Sequence, residues 1–548
     1  MKNGKYVSRD ASEEQRIELL FQKMQDKLGD KDYFTLGDVT HDKMLGHKLV
    51  ETLKPIFEHF LKEGLVEVAE KEGRYRFPQQ EPEGNSREEV EPNRFVITTA
   101  VEEKDVNKPF LEAIKNYLNR NNAELLIIPC KGRGIPGKKK EEDEDLLPQL
   151  SEDLSSFQMI LKDTYLNDNI CIAAIDIPAV RINPLSSIDR VLAKMDASII
   201  LPSPKIFLKH VPNMHSEIPP AVMTTGAITV NSYGSKNGLM KKSDYLAELD
   251  HTYGAVVVEI ENDKIFHFRH ILASEDGSFI DLGIEYLPDG SIRKVTETAM
   301  VMGDSHIGYH DMELHQEAIG LAHEANVREI VLHDVFHGSS ISHHDVGKSI
   351  TNAIKAREGK LGLERECMAV KNYISSMVNQ GFDITIVKSN HDGHLFRYLN
   401  EARYVTDPIN NEFSLKLALA ATKDKDPLQY AIEEELHYKN SKVKWLQEDV
   451  GYRIYGVEVS HHGSKGANGS RGSLTTFEKG LGNCVTAHTH SAAITRDAYC
   501  VGTVGLMDMG YNKGLSSWTR TCCLIYNNGM KQLINFIPDG CGNYSYKA

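Results

Sequence analysis

Residues 299–337, AMVMGDSHIGYHDMELHQEAIGLAHEANVREIVLHDVFH, read as an apolar strand, a polar turn, a helix, a second apolar strand and a second polar turn. An open α/β sheet builds its sites outside the carboxyl ends of its strands, and both turns carry metal-binding side chains there. Asp304 and His306 end the first strand and Asp334 ends the second. Three more strand ends follow in order: 383–392 closes on Asn390, His391 and Asp392, 455–463 delivers His461 and His462, and 482–490 closes on His488 and His490. One polar group after an apolar run is ordinarily a turn. Several in series, all Asp, His or Asn, favour a pair of divalent cations over coincidental loops.

The ordered set DSH, HD, SNHD, HHG and AHTH resembles the calcineurin-like metallophosphoesterases, whose motifs run D-x-H, GD, GNH[D/E], H and GHxH. The resemblance covers about residues 296–540 and departs from the pattern at His333, Ser389 and Ala487, where the family has glycine. It implies one metal on Asp304, His306 and His490, a second on Asn390, His462 and His488, and Asp334 bridging them. His462 is preferred to His461 because the family's histidine directly precedes glycine. The family's chemistry implies a water activated between the metals, with His391 as general acid or transition-state stabiliser and Asp392 fixing its tautomer. Mn2+ or Mg2+ is the expected pair, since the donor set holds no thiolate; iron or zinc is the alternative.

Size and composition bound the rest. The chain has 548 residues, enough for roughly three domains. Its 41% hydrophobic and 26% charged residues are those of a globular protein. Neither a long apolar run nor a signal peptide is present, so the expected location is the cytoplasm, that of the host if the chain is phage-encoded. The eight cysteines show no C-x-x-C pairing and read as reduced, buried thiols. A net charge of -15 argues against nonspecific coating of nucleic acid. It leaves a nuclease open, because bound cations reverse the field at a carboxylate-lined site.

The expected architecture is α/β throughout. Residues 1–80 carry helices over 12–28, 41–53 and 55–63 and then a hairpin, an order that resembles a winged helix with a role in contacting DNA or protein. Residues 81–93 read as a linker. Residues 94–295 form an α/β domain of unassigned role, including a hairpin whose alternation puts His267 and Arg269 on one face. Residues 296–548 form the calcineurin-like metallophosphoesterase sandwich, with helices near 311–325, 363–379 and 393–403 and a terminal hairpin around Asn527-Asn528-Gly529.

The substrate is narrowed by two features. The turn from Asp334 to His337, D-V-F-H, resembles the D-L-F-H of SbcD-type repair nucleases, which implies that His337 helps to hold a scissile DNA phosphate. The run from His462 to Ser473 carries Gly463, Gly466, Gly469 and Gly472 every third residue, so its amides are expected to face phosphates with help from Lys465 and Arg471. The whole arrangement resembles phage-encoded DNases of this family that degrade host DNA. The expected activity is metal-dependent hydrolysis of DNA phosphodiesters, with no membrane partner; a homo-oligomer is compatible with the sequence. The rival readings are a phosphatase or cyclic-nucleotide phosphodiesterase, and a DNA-binding regulator with a vestigial phosphoesterase domain.

Overall fold

Alternation along the strand Thr298–Val301 places successive side chains on opposite faces of a sheet, and the two faces pack into different cores. Met300 joins Ile330, Leu332, Ile384 and Ile386 against Leu314, Ala318, Val370, Ile374 and Leu395 from helices. Ala299 and Val301 join Val331 and Val387 against Val457, Val485, Ile494 and Tyr499 of a second sheet. These elements are therefore layered: helices, sheet, sheet.

The computed structural model describes residues 34–35, 60, 62, 66–68, 74–76, 93–132, 148–188, 197–214, 218–234, 239–510, 512–540 and 542–548. It is a mixed α/β protein that divides into two compact units, Met1–Val90 and Glu91–Ala548. In the first unit Glu67–Val68 and Arg74–Arg76 form the expected hairpin, and Phe34–Thr35 pairs with the free side of Arg74–Arg76. The three expected helices, the winged-helix likeness and the linker fall almost wholly outside the described residues.

The first sheet of the larger unit has six strands. Val443–Leu446, Asp383–Val387, Val327–Leu332 and Thr298–Val301 run parallel, and Thr521–Tyr526 and Lys531–Asn535 continue antiparallel. The last two are the expected terminal hairpin. Helix Met312–Glu324 starts where the Asp311 carboxylate accepts the Leu314 amide at 3.2 Å, an N-cap. Helix Leu363–Asn379 buries Cys367, Val370, Ile374 and Met377 at helical spacing.

The second sheet has ten strands, and it crosses residue 295. Arg453–Ile454, Val457–Glu458, Cys484–Thr486, Ala498–Cys500 and Ala493–Thr495 make one half; Phe207–His210, Ala221–Thr224, Ser198–Leu201, Ile170–Ile172 and Thr164–Asn167 make the other. The halves join where Phe207 pairs with Thr495 and Lys209 with Ala493. Residues 94–295 and 296–548 share this ladder and lie in the same compact unit.

A five-stranded sheet built on Arg94–Val101, Ala123–Cys130, Gly254–Ile260 and Phe266–Leu272 closes the same interior with Ile97, Leu126, Val256 and Val258. Its other face is covered by helix Lys108–Asn121 through Phe110, Leu111, Ile114 and Tyr117. His267 and Arg269, both buried here, are not available to a phosphate. Arg269 pairs with Asp281 at 2.5 Å and with Glu259 at 2.5 Å. The cysteines in the described residues are free and buried. Among the described residues no helix is long and apolar enough to cross a membrane.

Candidate metal centre

The site forms where carboxyl ends of the two large sheets meet. Strand Thr298–Val301 leads to Asp304 and His306, strand Val327–Leu332 to Asp334 and His337, and strand Asp383–Val387 to Asn390 and His391. From the facing sheet, Val457–Glu458 leads to His462 and Cys484–Thr486 to His488 and His490. Main-chain bonds lock these loops together. The amides of Ser305, His306 and Ile307 donate in turn to the carbonyls of His333, Asp334 and Val335, and Ala487 N–H donates to the His462 carbonyl at 2.9 Å.

Asp304, His306, Asp334 and His490, all buried, offer donor atoms within 4.8 Å of one another, and Asp334, His462 and His488 do the same. Asp334 belongs to both groups. His490 Nε2 stands 3.1 Å from Asp304 Oδ2 and 3.0 Å from His306 Nε2. His462 Nε2 stands 3.4 Å from Asp334 Oδ2 and 2.9 Å from Asn390 Oδ1. The seven residues expected as ligands are thus brought together, and in the expected partition. His461 points elsewhere: its Nδ1 accepts the Gly463 amide at 3.1 Å and its ring lies against Phe477.

These residues fit cations. Asp304 Oδ1 and Asp334 Oδ1 are buried with no hydrogen-bond partner, a cost that a bound cation removes. Burial pushes His306 well below its ordinary value, which keeps it neutral, the form with a lone pair to give. Burial opposes ionisation of Asp334 as well, but His462 and His391 beside it outweigh that and hold the carboxyl well below the usual range. The backbone is strained at the same places: His306, Asp334, His488 and His490 have φ of 44°, 45°, 78° and 56°. Left-handed backbone at a residue with a side chain costs about 1 kcal/mol or more and clusters at functional sites. Left-handed backbone falls on Asp334 and His488 themselves rather than on His333 and Ala487 before them, so the missing glycines are not needed.

A third group, His306, His337 and His391, also brings its nitrogens within 4.8 Å, with no carboxylate among them. His391 Nδ1 lies 2.7 Å from the carbonyl oxygen of His337. A carbonyl only accepts, so Nδ1 carries the proton and Nε2 is left free. This corrects the role expected of Asp392. Its Oδ2 accepts the Ser389 amide at 2.9 Å, capping the helix Asn390–Asn400, and burial pushes the carboxyl up to about 8. The Ser-x-x-Asp spacing was the available signal.

His337 lies in the site, its Nδ1 3.2 Å from His306 Nδ1 and its ring stacked on Tyr309 at 4.3 Å. The glycine run departs from expectation. Gly466 N–H donates to Ser470 O at 2.6 Å, Gly472 N–H to Ser464 O at 3.2 Å, and Gly463 N–H goes to His461. A Cβ on Gly472 would sit 1.9 Å from Gly463 O, and one on Gly463 would sit 2.8 Å from Ala487 O. These glycines close the loop on itself and on the His488 strand end, so their amides are not left for phosphates. Lys465 is exposed and paired with Glu448 at 2.8 Å, and Arg471 is exposed.

Two residues escaped sequence reasoning. His333, fully buried, has its Nδ1 3.4 Å from His462 Nδ1 and backs that ring; burial lowers it to about 3. Trp518 stands edge-on to His490 at 4.2 Å. His333 had a signal in its place beside Asp334, whereas Trp518 had none.

Comparison with known proteins finds a phage relative. The chain is 29% identical over 465 residues to Protein A1 of Escherichia phage T5, across 81% of this chain and 82% of that protein. No protein-family model matches, and no solved structure matches.

Proposed function

We propose that the chain is a phage-encoded, metal-dependent DNase of calcineurin-like metallophosphoesterase type, hydrolysing DNA phosphodiester bonds in the cytoplasm of an infected bacterium. The observation that carries this reading is the sharing of Asp334 between two donor groups, one buried and one with His488 half-buried, with the all-imidazole group beside them. Asp304, His306 and His490 would hold one divalent cation, Asn390, His462 and His488 the other, and Asp334 both. Mn2+ or Mg2+ suits this oxygen and nitrogen set. Bound there, the pair supplies Lewis-acid activation of water and neutralises charge on a phosphate.

The chain's own groups do the rest. His391, whose Nδ1–H is taken up by the His337 carbonyl, would act in its doubly protonated form, giving the Nε2 proton to the leaving oxygen. His337 offers a second imidazole to the phosphate, steadied by Tyr309. The resemblance of D-V-F-H to the SbcD-type turn supports DNA over a small ester, and the similarity to a phage protein over most of the chain supports a phage origin.

The test is purified protein with Mn2+, offered plasmid, linear and single-stranded DNA beside p-nitrophenyl phosphate, with a chelator control. DNA cleavage that needs metal and is abolished by His391→Ala supports the reading. Activity confined to the small ester indicates a phosphatase, and inactivity on all of them overturns an enzymatic role.

A further inference from the structure

Histidines continue outward from the metal centre. His391 touches His306 at 4.8 Å between ring centres and His394 at 4.8 Å on its other side. His394 meets His343 at 5.0 Å, and His343 lies 3.8 Å from the exposed His344. This file of rings runs from the buried site to the surface. We infer that His343, His344 and His394, with Arg403, hold the phosphodiester next to the scissile one, so that a polynucleotide strand rather than an isolated phosphate is the fitted ligand. The inference rests on the nuclease reading above.

Three observations carry it. Among the described residues the donor atoms of His343, His344 and His394 do not gather within 4.8 Å as those of the metal groups do, and their rings are instead strung out toward the surface. Two of the donors wait for a partner: His343 Nδ1 and Arg403 Nη2 are buried with no hydrogen bond. Arg403 Nη1 donates to the Ile341 carbonyl at 3.0 Å, which ties the guanidinium to the turn bearing His343. Finally, cations gather here although the chain has a net charge of -15. Lys348 and Lys355 both pair with the one carboxylate Asp345, and Arg397 and Arg403 with the one carboxylate Glu401. A cation is in excess at each pair, and phosphodiesters seek such places.

The experiment compares kcat/KM with Mn2+ on a thymidine dinucleotide, which has one phosphodiester, and on a longer oligothymidylate. The wild type is expected to gain on the longer strand, and His343→Gln/His344→Gln to lose roughly tenfold of that gain, the scale of hydrogen bonds to a charged group. His344→Gln alone, at an exposed position, is expected to lose part of it, and its melting temperature reports folding. Variants that keep the whole gain overturn the inference and leave the nuclease reading standing. A wild type that hydrolyses p-nitrophenyl phosphate but neither nucleotide overturns both.

Discussion

The main-chain carbonyl of His337 accepts the Nδ1 proton of His391 at 2.7 Å, so the loop that delivers Asp334 also selects the nitrogen that His391 presents to the site. Substitution by asparagine or alanine removes that nitrogen while leaving the ligands in place. His391→Asn is expected to lower kcat on DNA by about a hundredfold or more, the usual range for general acid–base groups. Mn2+ binding, followed by calorimetry, should persist.

Asp392 is expected to behave as a helix cap. Asp392→Ala should cost about 1 kcal/mol of stability in urea unfolding. Asp392→Asn, which can still accept from the Ser389 amide, should retain most of kcat. A loss as large as that of His391→Asn would return Asp392 to the chemistry.

The buried donors predict strong coupling between metal and stability. Mn2+ at a hundred times its Kd should stabilise the chain by about 2.7 kcal/mol per independent site. Asp334→Ala, which removes the residue shared by both groups, should abolish the Mn2+-dependent rise in Tm.

Glycines of the 463–472 loop should matter more than its cations. Gly472→Ala drives a Cβ into the Gly463 carbonyl, which displaces the loop behind His462, and it is expected to weaken Mn2+ binding. Lys465→Ala, at an exposed pair with Glu448, should change kcat/KM on DNA only slightly.

The Arg269 network predicts the acid limb. Burial works to raise Asp281, but Arg269 outweighs it, with Gln532 and Tyr117 assisting, and the folded carboxyl lies below its ordinary value. A depressed carboxyl contributes stability that is present above about pH 4 and lost as pH falls through the folded value. Asp281→Asn should flatten urea stability against pH in that acid range. Asp281→Ala should cost about 3 kcal/mol at neutral pH, since it strips a buried cation of one partner.

Much of the centre was legible because its ligands follow apolar runs in order, and the ends of strands are marked where hydrophobic periodicity stops. Helix Leu363–Asn379 was equally visible from its buried stripe. The pairing of Phe207–His210 with Ala493–Thr495 was not, because a ladder between distant segments leaves no periodicity in either. The role of Asp392 was hidden by its neighbour: a carboxylate beside a histidine looks like a tautomer-fixing partner until the backbone shows that the next loop fills that place. Regular glycines likewise suggested an anion cradle where the chain uses them to fold back on itself.

The ten-stranded ladder has a consequence for biosynthesis. Phe207–His210 leaves the ribosome long before Ala493–Thr495, its neighbour in the sheet, and until then one side of it stands bare. A polypeptide terminated before Ala493–Thr495 is made therefore ends as an adhesive fragment, and one that stops short of His488 and His490 leaves both donor groups around Asp334 incomplete.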